Sequence, residues 1–154
     1  MQVIQQHAEI GASPDDVFDL ITRIEEFPLY SDLLKEVRAI GPDRYHWVAS
    51  AHGISLEWDA IVTERDRPRR IAWRSIKGFV NSGAYELSPS PPGTAVSISF
   101  EFDFPNRALE KLLSRLVKPL VRNAAAQILA RVKQRLEHGG DPTHRAEAPP
   151  EKTR

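Results

Sequence analysis

Between Tyr45 and Phe102 the large apolar side chains keep to alternate positions. The sets are Tyr45/Trp47, Leu56/Trp58, Ile71/Trp73, Phe79/Tyr85 and Val96/Ile98/Phe100/Phe102. Alternate residues of a strand share a face. The pattern therefore predicts five successive strands over residues 43–104, with all three tryptophans of the chain on one side of a single sheet. After Phe104 the period changes. Leu109, Leu112, Leu113, Leu116, Leu120, Ala124, Ile128, Val132 and Leu136 form one helical stripe and predict a long amphipathic helix over 106–137. A sheet with so bulky an inner face, followed by one helix, is either a solid core or the wall of an apolar pocket.

The elements before and between these follow from local signals. Gln2–Ile10 alternates loosely and reads as a first strand. Ser13-Pro14-Asp15-Asp16 is a helix start: Ser13 can cap, Pro14 fits the first turn, and Asp16 stands at the capping-box position. That helix buries Val17, Phe18, Leu20, Ile21 and Ile24. Glu25–Tyr30 reads as a second short helical piece or turn, broken by Pro28. Strands are expected at Leu33–Ile40, Arg44–Ala51, Ile54–Glu64, Arg70–Ile76, Phe79–Leu87 and Thr94–Phe104. The links between them are turns at Gly41-Pro42-Asp43, His52-Gly53, Asp66-Arg67-Pro68 and Lys77-Gly78, plus the loop Ser88–Gly93. Links this short favour antiparallel hairpins. Pro119 lies inside the helical stripe, so a kink or break is expected near Arg115–Pro119. Residues 1–138 read as a single domain. Residues 139–154 are Pro-rich and polar, without apolar periodicity, and are expected to be a disordered tail.

Composition removes several classes of function. There is no cysteine, so disulfides, thiolate metal sites and cysteine nucleophiles are excluded. His7, His46, His52, His138 and His144 lack metal-ligand spacing, and no serine sits in a G-x-S-x-G elbow, so neither a metal nor a hydrolytic triad is expected. No cofactor is implied. The first residues lack a signal-peptide pattern, and no apolar run approaches the ~20 residues of a membrane span. The expectation is a soluble, cytoplasmic protein. The net charge of zero hides an asymmetry: residues 1–104 carry 10 Lys/Arg against 16 Asp/Glu, while residues 105–138 carry 8 against 2. A basic helix thus accompanies an acidic sheet. It serves either internal attraction or docking on an anionic partner. No phosphate loop, RNA-binding aromatic signature or zinc spacing points to nucleic acid.

The order of strand, short helix pair, antiparallel strands and long C-terminal helix resembles the helix-grip fold. More specifically, the chain resembles the polyketide cyclase/dehydrase and lipid-transport family of the START-like, Bet v 1-like superfamily (SRPBCC). The residues that carry the likeness are Ala12–Ile21, Ile24-Glu25-Glu26-Phe27-Pro28, Glu57-Trp58-Asp59-Ala60, Ile71-Ala72-Trp73-Arg74-Ser75 and Gly78 to Gly83 around Asn81. The resemblance implies an α+β chain with a curved antiparallel sheet of about seven strands wrapped around the C-terminal helix. It also implies a cavity between them for lipids, polyketides or quinones. It carries no catalytic residue set, because none is universal across the family.

In such a fold Tyr45, Trp47, Trp58, Trp73, Tyr85 and Phe100 face the space between sheet and helix, together with Phe102. The helix contributes Leu116 and Leu120. Ser75 and Asn81 share the parity of the apolar face. They are candidates to orient a ligand carbonyl or hydroxyl, unless local bonds within the sheet or at the Gly78 turn consume them. Each buried tryptophan N–H needs a partner. Glu57, Asp59 and Arg74 have the opposite parity and read as outer-face charges, with a cross-strand pair between Arg74 and Asp59 or Glu57. The leading function is binding or transport of a small hydrophobic ligand. The alternatives are a polyketide aromatase/cyclase or dehydrase, and an interaction module that docks on ribosome or membrane through the basic helix. The pattern offers neither a buried carboxylate nor a buried histidine for catalysis.

Overall fold

The computed structural model describes residues 1–139; the segment expected to be a disordered tail lies, beyond Gly139, outside the described residues. Seven strands form one antiparallel sheet: β1 (Gln2–Ile10), β2 (Leu34–Gly41), β3 (Arg44–Ala51), β4 (Ile54–Asp66), β5 (Arg70–Gly78), β6 (Asn81–Ser90) and β7 (Gly93–Phe102). Their order across the sheet is β1-β7-β6-β5-β4-β3-β2. Every link between consecutive strands is a hairpin except the first. Consecutive β1 and β2 lie on opposite edges, joined by α1 (Pro14–Ile21) and a 3₁₀ helix, Ile24–Leu29. The last strand pairs with the first, Gln2 opposite Phe102 and Ile10 opposite Thr94. This is the helix-grip arrangement expected from the sequence.

Local chemistry explains the boundaries. Ser13 caps α1, accepting from Asp16 N at 3.1 Å, and Asn106 caps the long helix α2 (Arg107–His138) by accepting from Leu109 N at 2.9 Å. His52 and Gly53 both take positive φ, 53° and 79°, as a two-residue hairpin link with strand-matching twist demands. Gly78 has φ 85°, and a Cβ there would lie 2.3 Å from the Glu57 carbonyl oxygen, so no side chain fits the turn. The expected Ser88–Gly93 loop is shorter than the sequence suggests. Pro89 pairs with Thr94 within β6 and β7. It lies beyond the last β5–β6 pair, Arg70 with Glu86, so its missing N–H deprives no neighbouring strand.

Of the kink or break expected near Arg115–Pro119, the break does not occur: α2 runs through Pro119. Pro119 and Arg115 are both exposed, so the carbonyl that Pro119 leaves without a donor stands on the solvent side of the helix, where water can take it. The buried face of α2 departs from the expected stripe in the first half of the helix and keeps it at Ile128 and Val132. Val117, Val121, Ala125, Ile128, Leu129 and Val132 are buried, while Leu109, Leu112 and Leu116 are 37%, 71% and 56% exposed. The face that meets the sheet is thus rotated toward β-branched and small residues, which let α2 sit close.

Polar contacts fix the second half of α2. Arg135 bonds Glu26 Oε1 at 2.8 Å and also the Tyr30 hydroxyl. Gln127 accepts from Asp32 N at 2.8 Å, and Glu137 accepts from Gly11 N at 2.7 Å. The basic helix thereby joins acidic residues from the first third of the chain.

Candidate functional site

The inner face of β3–β7 forms an aromatic floor. Trp47 and Trp58 are cross-strand partners, and their rings stack at 5.8 Å with planes only 7° apart. Phe27, from the 3₁₀ helix, meets Trp47 edge-on at 5.9 Å and Tyr85 at 6.1 Å. Phe79 closes on Trp58 at 5.7 Å, and Trp73 lies between Tyr85 and Phe100 at 5.7 and 6.0 Å. Edge-on and tilted contacts of this kind fix ring positions as well as burying area.

Gly83 makes room for Trp73. It is the cross-strand partner of Trp73 on β6, and a Cβ at Gly83 would stand 2.6 and 2.7 Å from the indole ring. Only a residue without a side chain lets the ring lie across the neighbouring strand.

Above this floor the packing is incomplete. A cavity of about 110 Å³ separates the sheet from α2. The sheet lines it with Tyr45, Trp47, Trp58, Trp73, Tyr85 and Phe100, all six named from strand parity. Ile21, Ile24, Phe27, Leu33 and Leu34 close one side. From α2 the lining residues are Val121, Ala124, Ala125 and Ile128. The opening has a simple cause: the helix presents two alanines where the sheet presents its widest rings.

The helix residues expected in the lining are elsewhere. Leu116 is exposed, Leu120 is half-buried, and neither borders the cavity. Over Leu109–Leu120 the leucines mark a flank that faces away from the sheet, whereas Ala124 and Ile128 of the same stripe do line the cavity. The uncharged series Val117, Val121, Ala125, Ile128 and Val132, spaced by three and four, is the signal that marks the inner face.

Ser75 and Asn81 are close to the aromatic floor but outside the lining. They form a closed local network. Asn81 N donates to Ser75 Oγ at 3.0 Å, Asn81 Nδ2 to the Phe79 carbonyl at 2.9 Å, and Trp73 Nε1 to Asn81 Oδ1 at 3.1 Å. The pairing of β4 with β5 skips Ile76, with Asp59 opposite Lys77 and Ala60 opposite Ser75. This bulge turns the end of β5 so that Ser75 meets the start of β6. Asn81, 4% exposed, thus satisfies one tryptophan N–H and holds the Gly78 turn.

The charged groups behave differently from the expected pairing. His46 Nδ1 lies 2.6 Å from Asp59 Oδ1, and its Nε2 lies 3.2 Å from Glu57 Oε1. Arg74 stands opposite Ile61 and makes no ion pair among the described residues. The register of β3 on β4 sets His46 against Asp59, whereas the bulge moves Arg74 along β5. All of these groups belong to the face away from the cavity.

Among the described residues, no Asp, Glu, His, Lys or Arg lines the cavity. Its ionisable residues are Tyr45 and Tyr85. Burial pushes the Tyr85 phenol far above its ordinary value of 10.0, so it is a neutral hydroxyl across the physiological range. No group of side chains suited to a metal ion occurs among the described residues, and no helix there is long and apolar enough to cross a membrane.

Comparison with known proteins gives the same architecture. A crystal structure of a Thermus thermophilus protein superimposes with a TM-score of 0.78 at 22% identity, covering 89% of this chain and 98% of that one. A START superfamily protein from Mycobacterium smegmatis gives 0.70 at 16% identity, covering 88% and 97%. An aromatase/cyclase from Streptomyces sp. R1128 gives 0.68 at 13% identity, covering 87% and 94%. Identities this low establish the fold alone. The sequence itself matches the family model described as polyketide cyclase/dehydrase and lipid transport over residues 10–133. The chain belongs to the polyketide cyclase/dehydrase and lipid-transport family.

Proposed function

We propose that this protein binds a small hydrophobic molecule in the cavity between its sheet and α2, as a carrier. One observation carries the reading: an aromatic cavity of about 110 Å³ whose lining holds no charged side chain. Apolar pockets with few convergent polar groups are the usual form of a small-molecule site. Membership of a family described by both cyclase and lipid-transport activities supports a ligand-binding or cyclase role. The inner face favours binding over cyclisation. Moving protons along a poly-β-keto chain calls for a group that titrates near the working pH, and the lining offers two phenols and indoles in its place. The test is native mass spectrometry of the protein before and after organic extraction. A co-purifying apolar compound that rebinds after extraction supports the carrier. Absence of any bound compound, with no uptake from lipid, quinone or polyketide mixtures, refutes it.

A second reading adds a place of exchange. Leu112 and Leu116 are 71% and 56% exposed on α2, with exposed Arg107, Lys111, Arg115 and Arg122 on the same half of the helix. Val80 is 56% exposed, and its carbonyl accepts from Asp103 N just after β7. Exposed leucines with neighbouring cations suit the interface of an anionic bilayer. Co-sedimentation with phosphatidylglycerol vesicles but not phosphatidylcholine vesicles, reduced by Leu112→Glu/Leu116→Glu, is the expected result. Binding to ribosomes without binding to vesicles refutes it.

A further inference from the structure

The cavity has a sharp end toward the start of α2. Its lining on that helix runs from Val121 to Ile128, a span of about 10 Å at about 1.5 Å per residue. Val117, one turn earlier, is 2% exposed and does not border it. On the sheet the boundary is Phe79, in the turn between β5 and β6. Phe79 lines the cavity, while Phe102, whose ring lies 5.8 Å from it, does not. Phe104 follows edge-on against Phe102 at 5.9 Å, so the interior past Phe79 is filled with rings. The position of Phe79 is pinned. Its N–H donates to the Glu57 carbonyl at 3.0 Å, its carbonyl accepts from Asn81 Nδ2 at 2.9 Å, and the Val80 carbonyl accepts from Asp103 N at 3.1 Å. The ring itself meets Trp58 edge-on at 5.7 Å.

We propose that Phe79 is an end stop that sets the length of the molecule the cavity takes. The preferred ligand is a compact, hydrocarbon-like molecule, one ring with a short alkyl branch, selected by length and fit over a long acyl chain or a fused polycycle. This rests on the carrier reading above and assigns the size and class of its ligand.

Three observations select that class. The first is size. The cavity, at about 110 Å³, is of the order of the roughly 150 Å³ hydrocarbon cavity that accepts benzene, so one ring fills it without rearrangement and a second fused ring does not fit. The second is the wall, which is almost wholly apolar and holds no cation. A carboxylate inside it would lose its water without gaining a partner, and affinity comes from apolar area and fit. The third is shape. The stacked Trp47/Trp58 pair and the tilted Trp73 and Phe100 rings give flat surfaces to a flat ligand. A chain leaving that ligand toward the start of α2 meets the Phe79 ring.

The experiment titrates the extracted protein with benzene, toluene, ethylbenzene, butylbenzene and hexylbenzene, followed by NMR, with thermal melting of each ligand-free variant. In the wild type each added methylene should raise affinity about fourfold at first, and the gain should end before hexylbenzene. Phe79→Ala should carry the gain through hexylbenzene. Phe79→Leu should move its end to a longer chain, and Phe79→Trp to a shorter one. Where Phe79→Ala melts too low to titrate, the opposite shifts of the other two variants decide. Phe104→Leu, outside the lining, should leave the wild-type series unchanged. The proposal is overturned if the wild-type gain continues through hexylbenzene, or if its end stays in place in every Phe79 variant. It is also overturned if Phe104→Leu moves that end as far as Phe79→Leu does. In each of those cases the binding of benzene and toluene leaves the carrier reading standing. If no member of the series binds the wild type or any variant, the carrier reading fails and the end stop with it.

Discussion

Replacing Ala125 by leucine separates a pocket from a solid core by the sign of its effect. Ala125 is 4% exposed on α2 and borders the cavity. At about 24 cal/mol for each Å³ of void, a cavity of about 110 Å³ weakens the fold by about 2.6 kcal/mol. Leucine adds three carbons, about 2.4 kcal/mol at about 0.8 kcal/mol each when fully buried. Ordering the longer side chain and imperfect fit remove about 1.4 kcal/mol of that, which leaves a net gain of about 1 kcal/mol. For a chain of this length the melting temperature then rises by about 2–4 °C. In a filled core the same substitution overpacks and costs about 1–3 kcal/mol. Ala130→Leu, exposed on the same helix, controls for helix propensity and surface hydrophobicity. The assay is thermal unfolding by circular dichroism, paired with ligand retention by native mass spectrometry. Ala125→Leu should be more stable than the control and should lose its ligand. A loss of more than about 1 kcal/mol with ligand retention unchanged would refute the pocket.

Gly83→Ala places a Cβ 2.3 Å from the Ser99 carbonyl oxygen and 2.6 Å from the Trp73 ring. Since the paired strand cannot retreat, urea unfolding should show a loss of about 2–3 kcal/mol with altered tryptophan fluorescence; wild-type stability and spectrum would mean Trp73 does not lie across β6. Arg135→Met strands Glu26 and the buried Tyr30 hydroxyl. With the Arg135 side chain 11% exposed and that of Glu26 35% exposed, the loss should be about 2 kcal/mol, and a change below about 0.5 kcal/mol would show that this contact does not hold α2. The Lys133 ammonium, and after it the Gly11 N–H, hold the Glu137 carboxyl below its ordinary value of 4.5. A depressed folded-state value gives stability that is present above pH 4.5 and lost as pH falls through the folded value. Glu137→Gln should therefore lower stability at neutral pH and flatten the acid limb, the variant and the wild type converging as pH falls through the folded value. Asp19 and Asp32, also held low by their partners, retain the rest of the slope; an unaltered acid limb counts against the Glu137 contact.

How far the sequence reveals the molecule depends on the range of each signal. Alternation along β3–β7 is local, so the six aromatic residues that the strands give to the lining can be named from parity alone. The caps at Ser13 and Asn106 are equally local, and their side chains bond where the residue types predict. The face of α2 is different. Two overlapping stripes exist on that helix, and the larger leucines suggest the flank that the fold leaves toward solvent. What decides between them is how close α2 must come to the sheet, a distance no helical period encodes. Ser75 and Asn81 are on the face that parity assigns, yet the skip at Ile76 gives each a local partner. The His46 contact with Asp59 requires the register of β3 on β4, and the pairing of β1 with β7 joins strands about ninety residues apart. Neither is written in any short window.

The same distinction locates the chemistry. Charges are carried on the outer face of the sheet and on α2, where each alternation or helical stripe places them, and the cavity receives what remains: rings, aliphatic groups and two phenols. Such an interior gives little to general acid–base catalysis, which depends on groups titrating near the working pH. It gives more to binding, because a dry wall of rings and aliphatic groups favours apolar molecules taken from water. Any cyclisation in this cavity would have to come from holding a flexible chain in a reactive fold rather than from proton transfer by a carboxylate or histidine. The hydrogen bonds of Ser75 and Asn81 are spent within the sheet, so the cavity meets a ligand with shape and apolar surface.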